Sequence, residues 1–207
     1  MCCRYYYSKL RSQELLDELG IEGEDGAVWP GKMAHLDGMV LPGRPYGTVS
    51  PSDPSILIAG DGGHFAAKEA RFGFPGKNGQ LVINARSETA LAKPMFSAAM
   101  LYRRCVLPAE RFFEWDAQKN LAQFEDPAGR LMLLAGLWGL FENAARFVVL
   151  TAPANASMAP VHARMPLRIP QENLAGWLFD LEAARRLLAA PQPPLLVRRD
   201  AEQMRLF

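Results

Sequence analysis

Residues 103–151 read RRCVLPAERFFEWDAQKNLAQFEDPAGRLMLLAGLWGLFENAARFVVLT, and this stretch decides the fold. Five strand signals follow one another at close spacing: Arg103 to Leu107, Arg111 to Trp115, Leu121 to Glu125, Leu131 to Leu137 and Phe147 to Thr151. Asp126-Pro127-Ala128-Gly129 supplies turn chemistry between the third and the fourth, since Asp, Pro and Gly each favour a chain reversal for its own backbone reason. Sequential strands with short connections argue for an antiparallel sheet or barrel, because parallel neighbours need a long crossover.

Working outward, Ser12 is placed to cap a short helix running to Leu19, with Leu15, Leu16 and Leu19 on one face and Gly20 as its stop. Residues 20–55 are rich in Gly and Pro and read as loops around short strands. Ile56 to Ala59 and Leu81 to Ala85 read as short strands, with Ser87 capping a helical turn after the second. Pro94 to Leu101 reads as a helix with Pro in its first turn. The proline-rich stretch 152–170 reads as a loop, Glu172 to Ala190 as one or two amphipathic helices, and the chain from Pro191 as a Pro-rich, charged tail. The expected architecture is one α+β domain over 1–207, built of curved, barrel-like antiparallel sheets with peripheral helices. Its core covers about 2–180, with a C-terminal helix and tail over 181–207.

Composition excludes several classes. With 207 residues the chain makes one domain, or two at most. Its 49% hydrophobic and 22% charged content is globular rather than disordered, collagenous or coiled-coil. A net charge of +1 sets up no bulk field toward a polyanion, but the basic residues are mostly Arg, which suits a local anion-binding groove. The longest apolar run, Leu131 to Phe141, is interrupted by two glycines and falls short of the roughly 20 residues a membrane helix needs. MCCRYYYSKL has no signal-peptide core, so a cytoplasmic protein with no membrane association is expected. Three cysteines, Cys2, Cys3 and Cys105, show no metal-ligand spacing and fit reduced thiols. No metal or other cofactor is expected.

Four places could carry chemistry. Removal of Met1 would leave Cys2 with an α-amine and a thiol on adjacent carbons, a 1,2-aminothiol that closes a thiazolidine ring on an aldehyde; by spacing alone Cys2 is an ordinary second residue. In Asn84-Ala85-Arg86-Ser87-Glu88, Asn84 could fix an amine and Arg86 a phosphate; otherwise Asn84 ends a strand and Arg86 pairs with Glu88. Glu114 sits among aromatics in Arg111-Phe112-Phe113-Glu114-Trp115, and strand alternation puts it on the face of Phe112, opposite Phe113 and Trp115. There it reads either as a general acid or base or as an edge glutamate facing solvent. His162 lies in a proline-framed loop, Met158 to Pro166, which can hold a ring that titrates near neutral pH. His35 and His64 read as surface residues, Cys3 and Cys105 as packing, and Tyr5, Tyr6 and Tyr7 as core and rim.

Taken in order, Cys2, Asn84 to Glu88, Arg103 to Ala109, Phe112 to Trp115, Ala135 to Trp138 and Met158 to Pro166 resemble the SRAP (SOS-response-associated peptidase) family over roughly residues 2–180. The resemblance implies an SRAP-like fold and covalent capture of abasic sites in single-stranded DNA, in the DNA-damage or SOS response of the bacterial cytosol and nucleoid, by a monomer. It implies Cys2 as nucleophile, Asn84 holding its α-amine, Glu114 assisting proton transfers and His162 assisting sugar-ring opening. It also implies Arg4, Arg71, Phe72, Arg86, Trp115 and Arg164 as DNA contacts. The family's Cys-Gly-Arg start reads Cys2-Cys3-Arg4 here, its Arg-Trp-Gly-Leu segment reads Arg71-Phe72-Gly73-Phe74, its Asn-containing loop before a proline reads Tyr46 to Pro51, and an Asp after the histidine is Ala163. The competing expectations are a cysteine peptidase using Cys2, Glu114 and His162, with autoproteolysis at the amino end, and a non-covalent single-strand binder.

Overall fold

The computed structural model describes residues 4–21 and 47–199. Cys2, Cys3, His35 and Tyr46 lie outside them. Strand β1 (Arg4–Tyr7) leads into helix α1 (Lys9–Glu18), followed by β2 (Gly47–Val49), β3 (Pro54–Asp61), β4 (His64–Phe72), β5 (Phe74–Pro75), β6 (Leu81–Val82) and β7 (Asn84–Arg86). After α2 (Pro94–Tyr102) come β8 (Arg104–Ala109), β9 (Arg111–Trp115), β10 (Leu121–Glu125), β11 (Met132–Phe141) and β12 (Ala144–Pro153). Then β13 (Arg164–Pro166), β14 (Arg168–Ile169), α3 (Leu174–Phe179), α4 (Leu181–Leu188) and β15 (Leu196–Arg199) complete the described chain. None of these helices is long and apolar enough to cross a membrane.

The strands make two main sheets. One has the order β15-β10-β9-β1-β2, antiparallel throughout. In the other, β12, β4, β3, β8 and β11 pair in turn and β11 returns to β12, closing a five-stranded barrel. The expected β-rich, curved and mostly antiparallel architecture is what forms. Two pairings depart from it: β12 runs parallel to β4 and to β7. The core is continuous between the sheets. Phe72 stacks on Phe147 with ring centroids 4.9 Å apart, and Tyr5 meets Phe72 edge-on at 6.2 Å. Gly136 allows the barrel to narrow: a Cβ there would sit 2.5 Å from Leu107 Cδ2 and 3.0 Å from Cys105 Sγ.

Several boundaries differ from the sequence reading. The first helix starts at Ser8, whose hydroxyl accepts the Arg11 amide at 3.4 Å, rather than at Ser12, and Gly20 ends it at φ +65 as expected. Strand β4 was unforeseen; it returns from β3 through Gly62-Gly63, both at positive φ, the conformation a tight hairpin needs. The stretch 152–170 is not all loop, since β13 and β14 lie within it. The tail holds β15, which pairs with β10. By contrast Arg111–Trp115 and Leu121–Glu125 form as read, and Gly129 N–H donates to Asp126 O at 2.9 Å in the foreseen turn.

Arg104 ties helices to barrel. Its guanidinium is buried and donates to Met100 O at 2.7 Å and Leu101 O at 3.0 Å in the last turn of α2, and to Trp177 O at 2.5 Å and Leu178 O at 3.1 Å in α3. Carbonyls in the last turn of a helix lack intrahelical donors, so one side chain satisfies two helix ends. Replacing Arg104 with Leu orphans all four, and a loss of about 2–5 kcal/mol is expected in denaturant unfolding; an unchanged midpoint would contradict this role.

Candidate active site

Glu114 lies on the inward face of β9. Burial alternates along the strand, with Phe112 and Glu114 inside and Arg111, Phe113 and Trp115 half-exposed. Glu114 is 4% exposed, so the carboxylate is interior and does not face solvent from an edge. Its Oε1 accepts the Trp115 amide at 3.2 Å. Charged groups are seldom buried without a task or a partner.

The neighbouring strand is β1, with Arg4 paired to Phe113 and Tyr5 to Phe112. The described amino end therefore enters beside the strand that carries Glu114. Arg4 points to the other face, where its guanidinium lies 5.2 Å from the Trp115 ring centroid and its Nε donates to Ser50 Oγ at 3.2 Å. Ser50 opens the turn that Ser52 and Asp53 fasten to Phe72, with Ser52 N–H donating to Phe72 O at 2.8 Å and Phe72 N–H to Asp53 O at 2.9 Å. This turn joins the two sheets.

The second cluster surrounds the end of β12. Asn84 pairs with Val149 and Arg86 with Thr151 along one edge of that strand, while β13 pairs Pro166 with Thr151 along the other. Asn84 is half-buried and Arg86 exposed. Glu88 is bound not by Arg86 but by Arg164: Nη1 contacts Oε1, and Nη2 donates to Oε2 at 2.8 Å. The hydrogen bond from Arg164, above all, holds the Glu88 carboxyl down to about 2. The Arg164 fork also reaches Thr151 O, and its side chain is 16% exposed.

His162 sits in the loop between β12 and β13. The loop closes through Ala154 N–H to Ala163 O at 3.0 Å and His162 N–H to Met158 O at 3.1 Å. Asn155 organises it: Oδ1 accepts the Ser157 and Met158 amides, each at 3.1 Å, while Nδ2 donates to Pro193 O at 2.7 Å. His162 Nδ1 accepts the Arg164 amide at 2.9 Å and is 3.2 Å from the Arg164 carbonyl. The shorter contact needs a lone pair on Nδ1, which assigns the neutral ring's proton to Nε2.

The structure thus brings Asn84, Arg86, His162 and Arg164 together around β12, and Arg4, Glu114 and Trp115 around β9. Arg71 stands at the sheet junction, donating to Ser52 O at 3.1 Å. Phe72 is a correction: it is 0% exposed and stacked on Phe147, so it offers no face to a base. Tyr5 and Tyr7 are core, and Tyr6 is rim under the Arg111 guanidinium. Cys105 is buried, and desolvation pushes its thiol well up, so it packs rather than reacts. Sequence reasoning missed Thr151, Asn155 and the Glu88–Arg164 pair: it joined Glu88 to Arg86 and read Arg164 as a DNA contact.

The sequence profile of SOS response associated peptidase (SRAP) matches residues 1–204. The chain belongs to that family. Its relatives include the abasic site processing proteins YobE of Bacillus subtilis, 30% identical over 79% of this chain and 80% of that protein, and YoqW of the same organism, 30% identical over 65% and 67%. A solved protein from Bordetella bronchiseptica shares the fold at TM-score 0.73 and 21% identity, covering 96% of this chain and 99% of that one.

Proposed function

We propose that this protein processes abasic sites in single-stranded DNA by covalent capture, with Cys2 as the nucleophile once Met1 is removed. The observation that carries the reading is the pairing of Arg4 with Phe113, next to the buried carboxylate of Glu114. Cys2 is two residues before Arg4, and two residues of chain span at most about 7 Å. The amine and thiol are therefore tethered to the end of β1 that pairs with β9. Relatives named abasic site processing proteins support the substrate class.

The chemistry follows from the groups present. An abasic sugar is mostly a closed hemiacetal, and opening it needs a proton moved between ring oxygen and hydroxyl. His162 holds a proton on Nε2 and suits that step. The α-amine, held by Asn84, then adds to the aldehyde, and Glu114 supplies the proton that lets water leave from the carbinolamine. The Cys2 sulfur adds to the imine carbon while the nitrogen gains a proton, and the thiazolidine ring closes. Arg4, Arg86 and Trp115 border the strand's path, with Arg71 beyond them. Arg164 is largely committed to Glu88.

The test is incubation of the full chain with an abasic single-stranded oligonucleotide, followed by denaturing electrophoresis. A denaturation-resistant adduct that an intact strand does not give supports the reading; cleavage of a protein substrate with no adduct would favour a peptidase. Arg86 is exposed beside this path. Arg86→Ala is expected to weaken binding about three- to tenfold regardless of flanking sequence and to lower the salt slope by about one, because a phosphate contact carries no base information. A loss that depends on sequence would contradict that role.

A further inference from the structure

We infer that Glu88 is a positioning residue for His162, acting through Arg164. The inference rests on the proposed function for its catalytic consequence but not for its geometry. Arg164 joins two jobs in one residue: its backbone N–H donates to His162 Nδ1 at 2.9 Å, and its guanidinium grips the Glu88 carboxylate and Thr151 O. Glu88 lies in the turn after β7, so the pair bolts the His162 loop to the strand that carries Asn84.

The side chain has little freedom to serve elsewhere. Nη1 and Nη2 both engage Glu88, Nη2 also lies 3.3 Å from Thr151 Oγ1, and Nε is buried without an acceptor. A bidentate Arg–carboxylate pair fixes orientation as well as distance. A fixed Arg164 fixes its amide, the amide keeps a lone pair on Nδ1, and the proton stays on Nε2, the nitrogen left to face substrate. Glu88 stays ionised well below neutral pH because its carboxyl is held at about 2. The pair's contribution is complete above the ordinary carboxylate value of about 4.5 and is lost only as pH falls toward 2. Across the working range the latch is permanent rather than a switch.

The test is Glu88→Gln in the full chain, read in three ways. In long-range proton–nitrogen spectra, with the ring assigned by comparison with His162→Gln, wild type should show the Nε2–H tautomer and the variant a mixture. Single-turnover crosslinking at saturating abasic DNA should slow about tenfold, a misplaced catalytic ring being costly, while the dissociation constant for an intact strand stays within about threefold. Glu88→Asp, which keeps the charge, should recover part of the rate. An unmoved ring pattern, or a loss confined to affinity, overturns the inference. If Glu88→Gln unfolds, Arg164→Lys, which keeps the charge and loses the fork, carries the ring spectra and the single-turnover rate. If wild type gives no adduct, the functional reading fails while the ring spectra still decide the latch.

Discussion

A Cys2→Ser protein is expected to give no adduct that survives denaturation. Serine keeps the α-amine and the chain geometry, so the imine still forms, but a hydroxyl is a far weaker nucleophile than a thiol, whose pKa near 8.5 leaves a usable thiolate fraction at neutral pH. Without ring closure the imine hydrolyses back to amine and aldehyde. The expected loss is at least roughly 10²-fold in stable product, with a residual imine visible only after borohydride reduction. Acetylation of the α-amine should abolish both species and retention of Met1 should abolish the ring, the free amine then having no thiol on the adjacent carbon, and the intact mass of the purified protein reports which amino end is present. An undiminished, heat-stable adduct from the serine variant would remove Cys2 from the chemistry.

Glu114→Gln should separate chemistry from binding. Glutamine keeps the shape and can still accept the Trp115 amide that Oε1 accepts at 3.2 Å, so the strand should hold. What it loses is the ability to give and take a proton. General acid–base catalysis contributes roughly 10²–10⁴-fold, and both crosslink formation and its reversal should slow by about 10² or more, since each direction passes through the same carbinolamine. Affinity for an intact strand should change less than about twofold, because Glu114 lies on the inward face of β9 while Arg4 and Trp115 lie on the other. Equal rates in both directions would exclude Glu114 from the mechanism.

What the sequence made legible was local. Alternation across Arg111–Trp115 put Glu114 on the face of Phe112 without saying whether that face is buried, and the Pro at the start of α2 and the Asp126–Gly129 turn both formed as read. Strand β4 escaped because its buried positions, Ala67, Ala70 and Phe72, do not alternate and two of them are alanines among charged residues, which leaves no two-residue period to read. Strands β13, β14 and β15 are two to four residues long, too short for a period to show, and β14 and β15 are held by partners distant in sequence, β11 and β10. Phe72 matched a motif position, but a motif does not say which way a side chain points, and here the ring is buried against Phe147. Glu88 and Arg164 are separated by 76 positions, so their pairing is a property of the fold alone.

Strand β1 has no partner nearby in the chain. It is sandwiched between β9 and β2 and cannot complete its ladder until residues 111–115 exist. A ribosome adding about 5–20 residues per second needs of the order of ten seconds to reach them. Throughout that interval the first residues of the nascent polypeptide stand outside any completed sheet. Under the proposed function, an enzyme that acts on the amino end would have a window set by topology, before β1 is paired.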